Sequence, residues 1–368
     1  MRKGWEYKSF ETCINKLPKA KQVKTSEYSS GTNYPIISQE DKLISGYYDD
    51  ESYVFHIDSP VVIFGDHTRV LKYVDFDFVV GADGVKIISP QKDLNAKFLL
   101  YYLQWYKIPN LGYSRHYKLL KEINIPLPPK STQLAIVSEL DKINELIRLK
   151  KEQLKDFDNL AQSLFYEMFG DPAENEKGWE VKKLGEIGEV KTGNTPSRSN
   201  DYFYNEKFIE WIKTDNIRNE QMNPTTAAEY LSREGAECGR IVSKGSILVA
   251  CIAGSLSSIG KCCITTKNVA FNQQINAITP YEDFCNSIYL YELIRNSSKY
   301  IQQNATTGMK HILSKSIFEK MKFPLPPLPL QRLFAQRIEQ IEREKAEVQK
   351  SIQDLETLLA SRMQYWFE

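Results

Sequence analysis

Three kinds of loop in this 368-residue chain carry side chains suited to hydrogen-bonding a nucleic acid. The first is Lys191-Thr192-Gly193-Asn194-Thr195-Pro196-Ser197-Arg198, which offers backbone donors, the hydroxyls of Thr192, Thr195 and Ser197, the Asn194 amide and the Arg198 guanidinium. Such groups bind phosphate oxygens or base edges, although the same composition also makes an ordinary solvated turn. The second is Gly65-Asp66-His67-Thr68-Arg69, paired by position with Gly254-Ser255-Leu256-Ser257-Ser258-Ile259-Gly260-Lys261. Its candidate contacts are His67, Thr68, Arg69, Ser258 and Lys261, against the rival reading of a hairpin turn with incidental polarity. Each copy follows an apolar run, 61–64 or 247–252, so both are expected to project from one edge of a sheet. Arg69 is the better guanine reader, because its planar fork can engage O6 and N7 together. The third kind is Gly112-Tyr113-Ser114-Arg115-His116-Tyr117-Lys118 and Thr306-Thr307-Gly308-Met309-Lys310-His311, with Arg115, His116, Lys118, Lys310 and His311 as candidates, against a rival reading of Arg115, Lys118 and Lys310 as simply solvated surface. Phe271-Asn272-Gln273-Gln274 adds amides, Asn272 and Gln273, that can pair with adenine. Recurrence at matching positions carries this pattern, and no single loop does.

Catalytic patterns are missing. No G-x-G-x-x-G follows a strand, and no G-K-[ST] phosphate loop occurs. Asn223-Pro224-Thr225-Thr226 begins like an adenine-methyltransferase motif but lacks the second proline and the aromatic that would stack on a flipped base. Glu210-Trp211-Ile212-Lys213 has the wrong spacing for a nuclease's metal-binding carboxylate and lysine. The four histidines show no metal-ligand spacing, and the six cysteines, Cys262 and Cys263 adjacent among them, form no CxxC pair. They read as reduced thiols of a cytosolic protein. The net charge of +1 gives no support to a simple basic-patch binder, but leaves room for a reader of shape with local basic loops. Met1-Arg2-Lys3-Gly4-Trp5 has no apolar signal region and no stretch is long enough to span a membrane, so a cytoplasmic location is expected.

These loops are positioned by a repeated device, a Pro-rich hinge feeding a long heptad helix. The first copy starts at Ile125-Pro126-Leu127-Pro128-Pro129 and its helix is expected over 131–169; the second starts at Phe323-Pro324-Leu325-Pro326-Pro327 with a helix from about 330 to the end. Gln133 and Ser163 of the first correspond to Gln331 and Ser361 of the second. In the first helix Ile136, Leu140, Ile143, Ile147, Lys150, Leu154, Phe157, Ala161, Leu164 and Met168 alternate at spacings of four and three, apolar but for Lys150. The same register in the second is broken only by Lys345 and Arg362. This is the signature of two helices sharing a seam. Lys150 and Lys345 read as register setting or snorkelling. Phe169-Gly170-Asp171-Pro172 ends helix one, and Gly178-Trp179-Glu180 opens the next globular segment a few residues on. Helix two leaves that same segment and can pack on helix one only by running back, so the pair is antiparallel and about 55–60 Å long.

The globular segments share a plan. Short strands are expected at 34–37, 53–57, 61–64, 76–80 and 85–88, then a helix at 96–105; in the second segment, strands at 208–212, 247–252 and 275–278, with a helix after Pro280. Gly4-Trp5-Glu6 is echoed by Gly178-Trp179-Glu180. The expected fold is α+β: two α/β domains in a pseudo-two-fold arrangement, joined by two long antiparallel coiled-coil helices. The divisions fall at 1–124, hinge and helix 125–170, 171–322, and hinge and helix 323–368.

Over essentially its whole length the chain resembles the DNA-specificity subunits of type I restriction–modification systems. Leu127-Pro128-Pro129 with Gln133, Leu325-Pro326-Pro327 with Gln331, and Met168-Phe169-Gly170-Asp171-Pro172 are similar to that family's repeated region. Gly193-Asn194-Thr195-Pro196-Ser197, Trp211-Ile212-Lys213, and Ser258-Ile259-Gly260-Lys261 with Phe271-Asn272-Gln273 resemble one class of its target-recognition domains, which adds Lys213 to the candidate DNA contacts. Gly65-Asp66-His67-Thr68-Arg69 and Gly81-Ala82-Asp83-Gly84 resemble another. The resemblance implies a non-catalytic subunit that binds a bipartite, asymmetric site in double-stranded DNA and holds no cofactor itself. Its implied partners are two adenine methyltransferase subunits carrying S-adenosylmethionine, and restriction/translocase subunits using ATP and Mg²⁺. Two rivals stay open: a coiled-coil scaffold that binds only protein, and the specificity component of a stand-alone restriction–methylation enzyme.

Overall fold

The computed structural model describes residues 1–368 except Met1, Lys3, Ser30, Thr32, Asp83, Tyr113, Asn219, Glu220 and Thr307. The chain divides into two compact units, residues 1–152 with 349–368, and residues 153–348.

In the first unit the run Val61–Gly65 is buried throughout, because it is the middle strand of an antiparallel sheet between Leu71–Val74 and Val85–Ile88. Its side chains alternate between two cores. Val62 and Phe64 pack with Phe98 and Leu99 of the helix Ala96–Tyr106, whereas Val61 and Ile63 join Ile37, Phe78 and Val80. A second sheet holds Phe78–Gly81 parallel to Tyr34–Ile37, with Gln22–Val23, Gly46–Tyr48 and Val54–Phe55 around them. The expected strand over 53–57 is reduced to Val54–Phe55. The residues before it, Glu51–Tyr53, wind into a 3₁₀ turn capped by the Asp50 carboxylate, which accepts from Ser52 N–H at 2.9 Å.

The second unit repeats this path. Gly188–Thr192, Ile275–Pro280, Ile247–Ala250 and Cys262–Ile264 make an antiparallel sheet, and a second sheet carries the parallel pair Ile209–Ile212 with Val269–Phe271. Ile247 and Val249 face the core of helix Ser287–Asn296, while Leu248 and Ala250 face Phe271 and Ile212. The run 247–252 is not one strand. At Cys251 the chain turns away, its N–H and that of Ile252 both donating to Gln274 O at 2.8 and 3.1 Å, and Ile252–Ala253 pairs instead with His311–Ile312.

The hinges are strands as well as joints. Asn124–Leu127 pairs antiparallel with Glu6–Ser9, and Lys322–Leu325 with Glu180–Lys183. Proline is tolerated there because a two-stranded ribbon leaves one edge without a ladder partner.

The long helices, Lys130–Phe169 and Leu328–Phe367, have 40 residues each. Each unit contains the start of one and the end of the other, so their antiparallel course is visible inside either unit. In the first, Arg362 and Trp366 hydrogen-bond Glu139, and Lys151 meets Glu356 at 2.9 Å. In the second, the Phe165 and Phe334 rings pack at 5.8 Å, and Lys345 lies 3.0 Å from Asp158. Lys345 therefore interrupts the seam as one member of an ion pair across it. The ends match too: Phe169 packs on Tyr289 at 4.9 Å in the second unit, and Phe367 on Phe98 at 5.5 Å in the first. Gly170 stops the first helix with φ +79°, its N–H closing on Tyr166 O at 2.8 Å.

Candidate nucleic-acid interface

In the first unit Asp66, only 2% exposed, is the hub that joins the candidate loops. Its N–H donates to Gly84 O at 2.7 Å, its carbonyl accepts from His116 N–H at 2.8 Å, and its carboxylate accepts from Tyr117 N–H at 2.7 Å. The hairpin after Val61–Gly65 closes through Gly65 N–H to Val70 O at 2.8 Å and Arg69 N–H to Gly65 O at 2.7 Å. His67 N–H and Thr68 Oγ1 reach back to Gln39, at 3.3 and 2.7 Å. The hairpin, the turn at Gly84 and the segment before the first hinge thus meet at one end of the sheet. Asp83, Tyr113 and Thr307, which belong to the sequence motifs, lie outside the described residues.

Two first-unit expectations change. His116, a candidate contact in sequence, is fully buried with both ring nitrogens engaged: its Nε2 accepts from Leu111 N–H at 3.1 Å, which places the ring proton on Nδ1, 2.9 Å from Asp66 O. Arg69 sits in the left-handed region at φ +62°, and its Nη1 donates to Ile108 O at 3.1 Å, so its fork braces the hairpin against the end of helix Ala96–Tyr106. Arg115 and Lys118 are exposed.

In the second unit five stretches are drawn together by main-chain bonds. Gly193 N–H donates to Ile275 O and Asn194 N–H to Phe271 O, both at 3.1 Å; Asn272 N–H donates to Ile212 O at 3.0 Å; and Leu313 N–H donates to Cys251 O at 2.8 Å. This brings Thr192, Asn194, Thr195, Lys213, Asn272 and Gln273 to the same end of the unit, with His311 opposite Ala253. Thr192 Oγ1 bonds Asn276 at 2.7 Å, and Thr195 Oγ1 bonds Gln273. The Asn194 side chain staples its loop to 238–240, donating to Cys238 O at 2.8 Å and accepting from Arg240 N–H at 2.7 Å. Asn272 is 6% exposed and its amide is occupied by Gln274, which leaves Gln273 as the accessible amide of the pair.

The other second-unit candidates are less gathered. Ser197 bonds Ser199 at 2.8 Å and Ser258 bonds Ser255 at 3.0 Å, each within its own loop. Lys261 lies at the root of its loop, lining a cavity of about 230 Å³ with Arg295 and Gln302. Lys310 is exposed beside Met309, which is fully exposed at the tip of the turn closed by Thr306 and Ile312.

Sequence reading missed Glu229. Its carboxylate takes hydrogen bonds from both Arg198 and Lys213. Burial works against its ionisation, but the bonds from Lys213 and Arg198 outweigh that and hold its pKa below the ordinary carboxylate range. Nothing near Glu229 in sequence signals this, since the partners are 31 and 16 residues away. Among the described residues no cluster of three or more His, Cys, Asp or Glu is placed to hold a metal ion, and no helix is long and apolar enough to cross a membrane.

The sequence profile of the type I restriction modification DNA specificity domain matches residues 3–156 and 176–357. The chain is 26% identical over 321 residues to the type I restriction enzyme EcoR124I/EcoR124II specificity subunit of Escherichia coli, covering 83% of this chain and 78% of that one. It is 32% identical over 166 residues to the HindI specificity subunit of Haemophilus influenzae, covering 44% and 35% respectively. Its fold is similar to the type I restriction-modification system S subunit from M. genitalium, with a TM-score of 0.59 at 14% identity over 98% of this chain and 95% of that one.

Proposed function

The chain belongs to the type I restriction modification DNA specificity family, and from that premise we propose that it is the sequence-reading, non-catalytic subunit of such a system. Each unit reads one half of a bipartite site in double-stranded DNA. The observation that carries this reading is a shared chain path ending in unlike side chains. The 65–69 hairpin corresponds to the 251–261 loop, each joined by main-chain bonds to the segment before its hinge, yet few residues agree. Two readers of one design with different contacts suit an asymmetric site.

Two adenine methyltransferase subunits bind this chain and bring S-adenosylmethionine; restriction/translocase subunits bring ATP and Mg²⁺. A formal charge of +1 supports a division of labour in which those partners supply much of the phosphate clamp. The test is a map of adenine methylation in cells carrying the complete system. A split motif with two different halves is expected, and exchanging residues 178–322 for those of a relative should change one half alone. An unsplit motif, or a change in both halves, overturns the reading.

A further inference from the structure

Arg198, in the loop after Gly188–Thr192, and Lys213, just past the end of Ile209–Ile212, share one carboxylate, Glu229. Arg198 is also stacked: its guanidinium carbon lies 4.5 Å from the Tyr204 ring centroid and 4.8 Å from that of Trp211. Lys213 Nζ lies 5.0 Å from the same Trp211 ring. Both rings are themselves fixed to the loop from which Arg198 comes. Tyr204 donates its hydroxyl to Pro196 O at 2.6 Å, and Trp211 Nε1 donates to Asn194 O at 3.2 Å.

An exposed ion pair of this kind adds little to stability, and here the Arg198 side chain is 52% and the Glu229 side chain 35% exposed. Its consequence is conformational. A free surface arginine surrenders several rotatable bonds when it binds, whereas one already stacked and tethered has little left to lose. With Nη2 on Glu229, Arg198 keeps further N–H donors with no hydrogen-bond partner among the described residues. Two cations on one carboxylate leave the cluster positive, next to Thr195, Gln273 and Asn194.

We propose that Glu229 is a specificity-determining positioning residue, holding Arg198 for a base edge and Lys213 for the adjoining phosphate of one DNA half-site. The inference rests on the DNA-reading function above and adds to it a residue that need not touch DNA. Glu229 sets discrimination more than raw affinity, because its negative charge opposes phosphate while its geometry aims the arginine fork.

The test is a titration of the complex assembled with its methyltransferase partner, against the cognate duplex and duplexes substituted at each position of both half-sites. Glu229→Gln keeps the shape and removes the charge. Cognate affinity is expected to fall roughly tenfold, the worth of one well-placed bidentate contact, while affinity for unrelated duplex is kept or rises. Arg198→Lys, which keeps the charge and loses the fork, should show the same loss, and the double variant should lose no more than either. Discrimination at the other half-site should stay as in the parent protein. Losses that multiply in the double variant, an equal shift on cognate and unrelated duplexes, or no shift at all would overturn the proposal. A parent complex that discriminates at neither half-site would instead overturn the function on which it rests.

Discussion

Gln133 Oε1 accepts the backbone N–H of Asn95, the residue that caps the helix Ala96–Tyr106, at 2.8 Å. Its amide nitrogen donates to Asp93 O at 2.8 Å and to Pro128 O at 2.9 Å. Gln331 repeats the arrangement with Asn286 N–H at 2.9 Å, Phe284 O at 3.1 Å and Pro326 O at 2.7 Å. Both side chains are buried, so each clamps its hinge to the cap of a domain helix out of reach of water. Gln331→Ala strands one donor and two acceptors and is expected to cost about 2–4 kcal/mol in unfolding of the second unit. Gln331→Glu should do no better, since a carboxylate cannot donate to the two carbonyls. Denaturant unfolding measures this, and a cost below about 0.5 kcal/mol would remove the clamp from the account.

Much of the scaffold was legible because its signals are local and repeated. A four-three spacing sustained through 130–169 and 328–367 leaves no alternative to a long helix with one apolar seam, and the run Val61–Gly65 is too short and too apolar to be anything but an interior strand. The site was legible only as a set of polar loops. Which of them face outward depends on pairings between distant segments, such as Ile209–Ile212 with Val269–Phe271, that no spacing announces. Hence His116 is a candidate contact by sequence although its ring closes on Asp66 and Leu111, and Arg198 is a candidate with no sign in sequence that Glu229 holds it.

Gly193 and Gly254, in two of the candidate loops of the second unit, stand in opposite surroundings. A Cβ at Gly193 would lie 2.1 Å from Asn272 O and 2.5 Å from Phe271 O, backbone atoms at a strand end that cannot rotate away. Gly193→Ala should lift the 193–198 loop, break the Asn194 N–H bond to Phe271 O, cost about 1–3 kcal/mol of stability and weaken cognate DNA binding. Gly254, where an added Cβ would meet nothing within 4 Å beyond its chain neighbours, should accept alanine with neither effect. Similar losses for both variants in a paired unfolding and binding assay would show that close approach is not what demands glycine at 193.

Arg69 and Arg115 should differ in what their loss does, because the first is tied to the main chain and the second is exposed. Arg69→Ala removes the brace to Ile108 and is expected to lower the stability of the first unit while leaving base preference intact. Arg115→Ala, at an exposed position, should leave stability within about 0.5 kcal/mol but weaken binding to all sequences and reduce the salt slope by about one. Titrations at two salt concentrations distinguish them. A change of base preference in Arg69→Ala would restore that side chain as a direct reader.

Glu292 gives the second unit a pH dependence opposite to that of an ordinary paired carboxylate. It is 2% exposed on helix Ser287–Asn296, with Arg295 at 3.5 Å and Asn296 Nδ2 at 3.3 Å. Burial, the largest influence, raises its pKa above the ordinary 4.5 despite the pull of Arg295; Glu342 adds repulsion and Lys345 attraction. The folded state therefore holds this proton more tightly than the unfolded state does. That contribution is complete below 4.5 and is lost as pH rises through the raised folded value. Glu292→Gln should thus gain on the parent protein as pH climbs above that range. Glu139 behaves the other way: the hydrogen bond from Arg362 lowers its pKa against the effect of burial, helped by Trp366, so its contribution is present at neutral pH and lost in acid. Glu139→Gln should be the weaker protein at neutral pH and converge on the parent as pH falls. Unfolding curves for both variants across the acid-to-neutral range check the two signs together. Parallel curves for Glu292→Gln and the parent would mean that Arg295 and Lys345 offset the burial of this carboxylate in full.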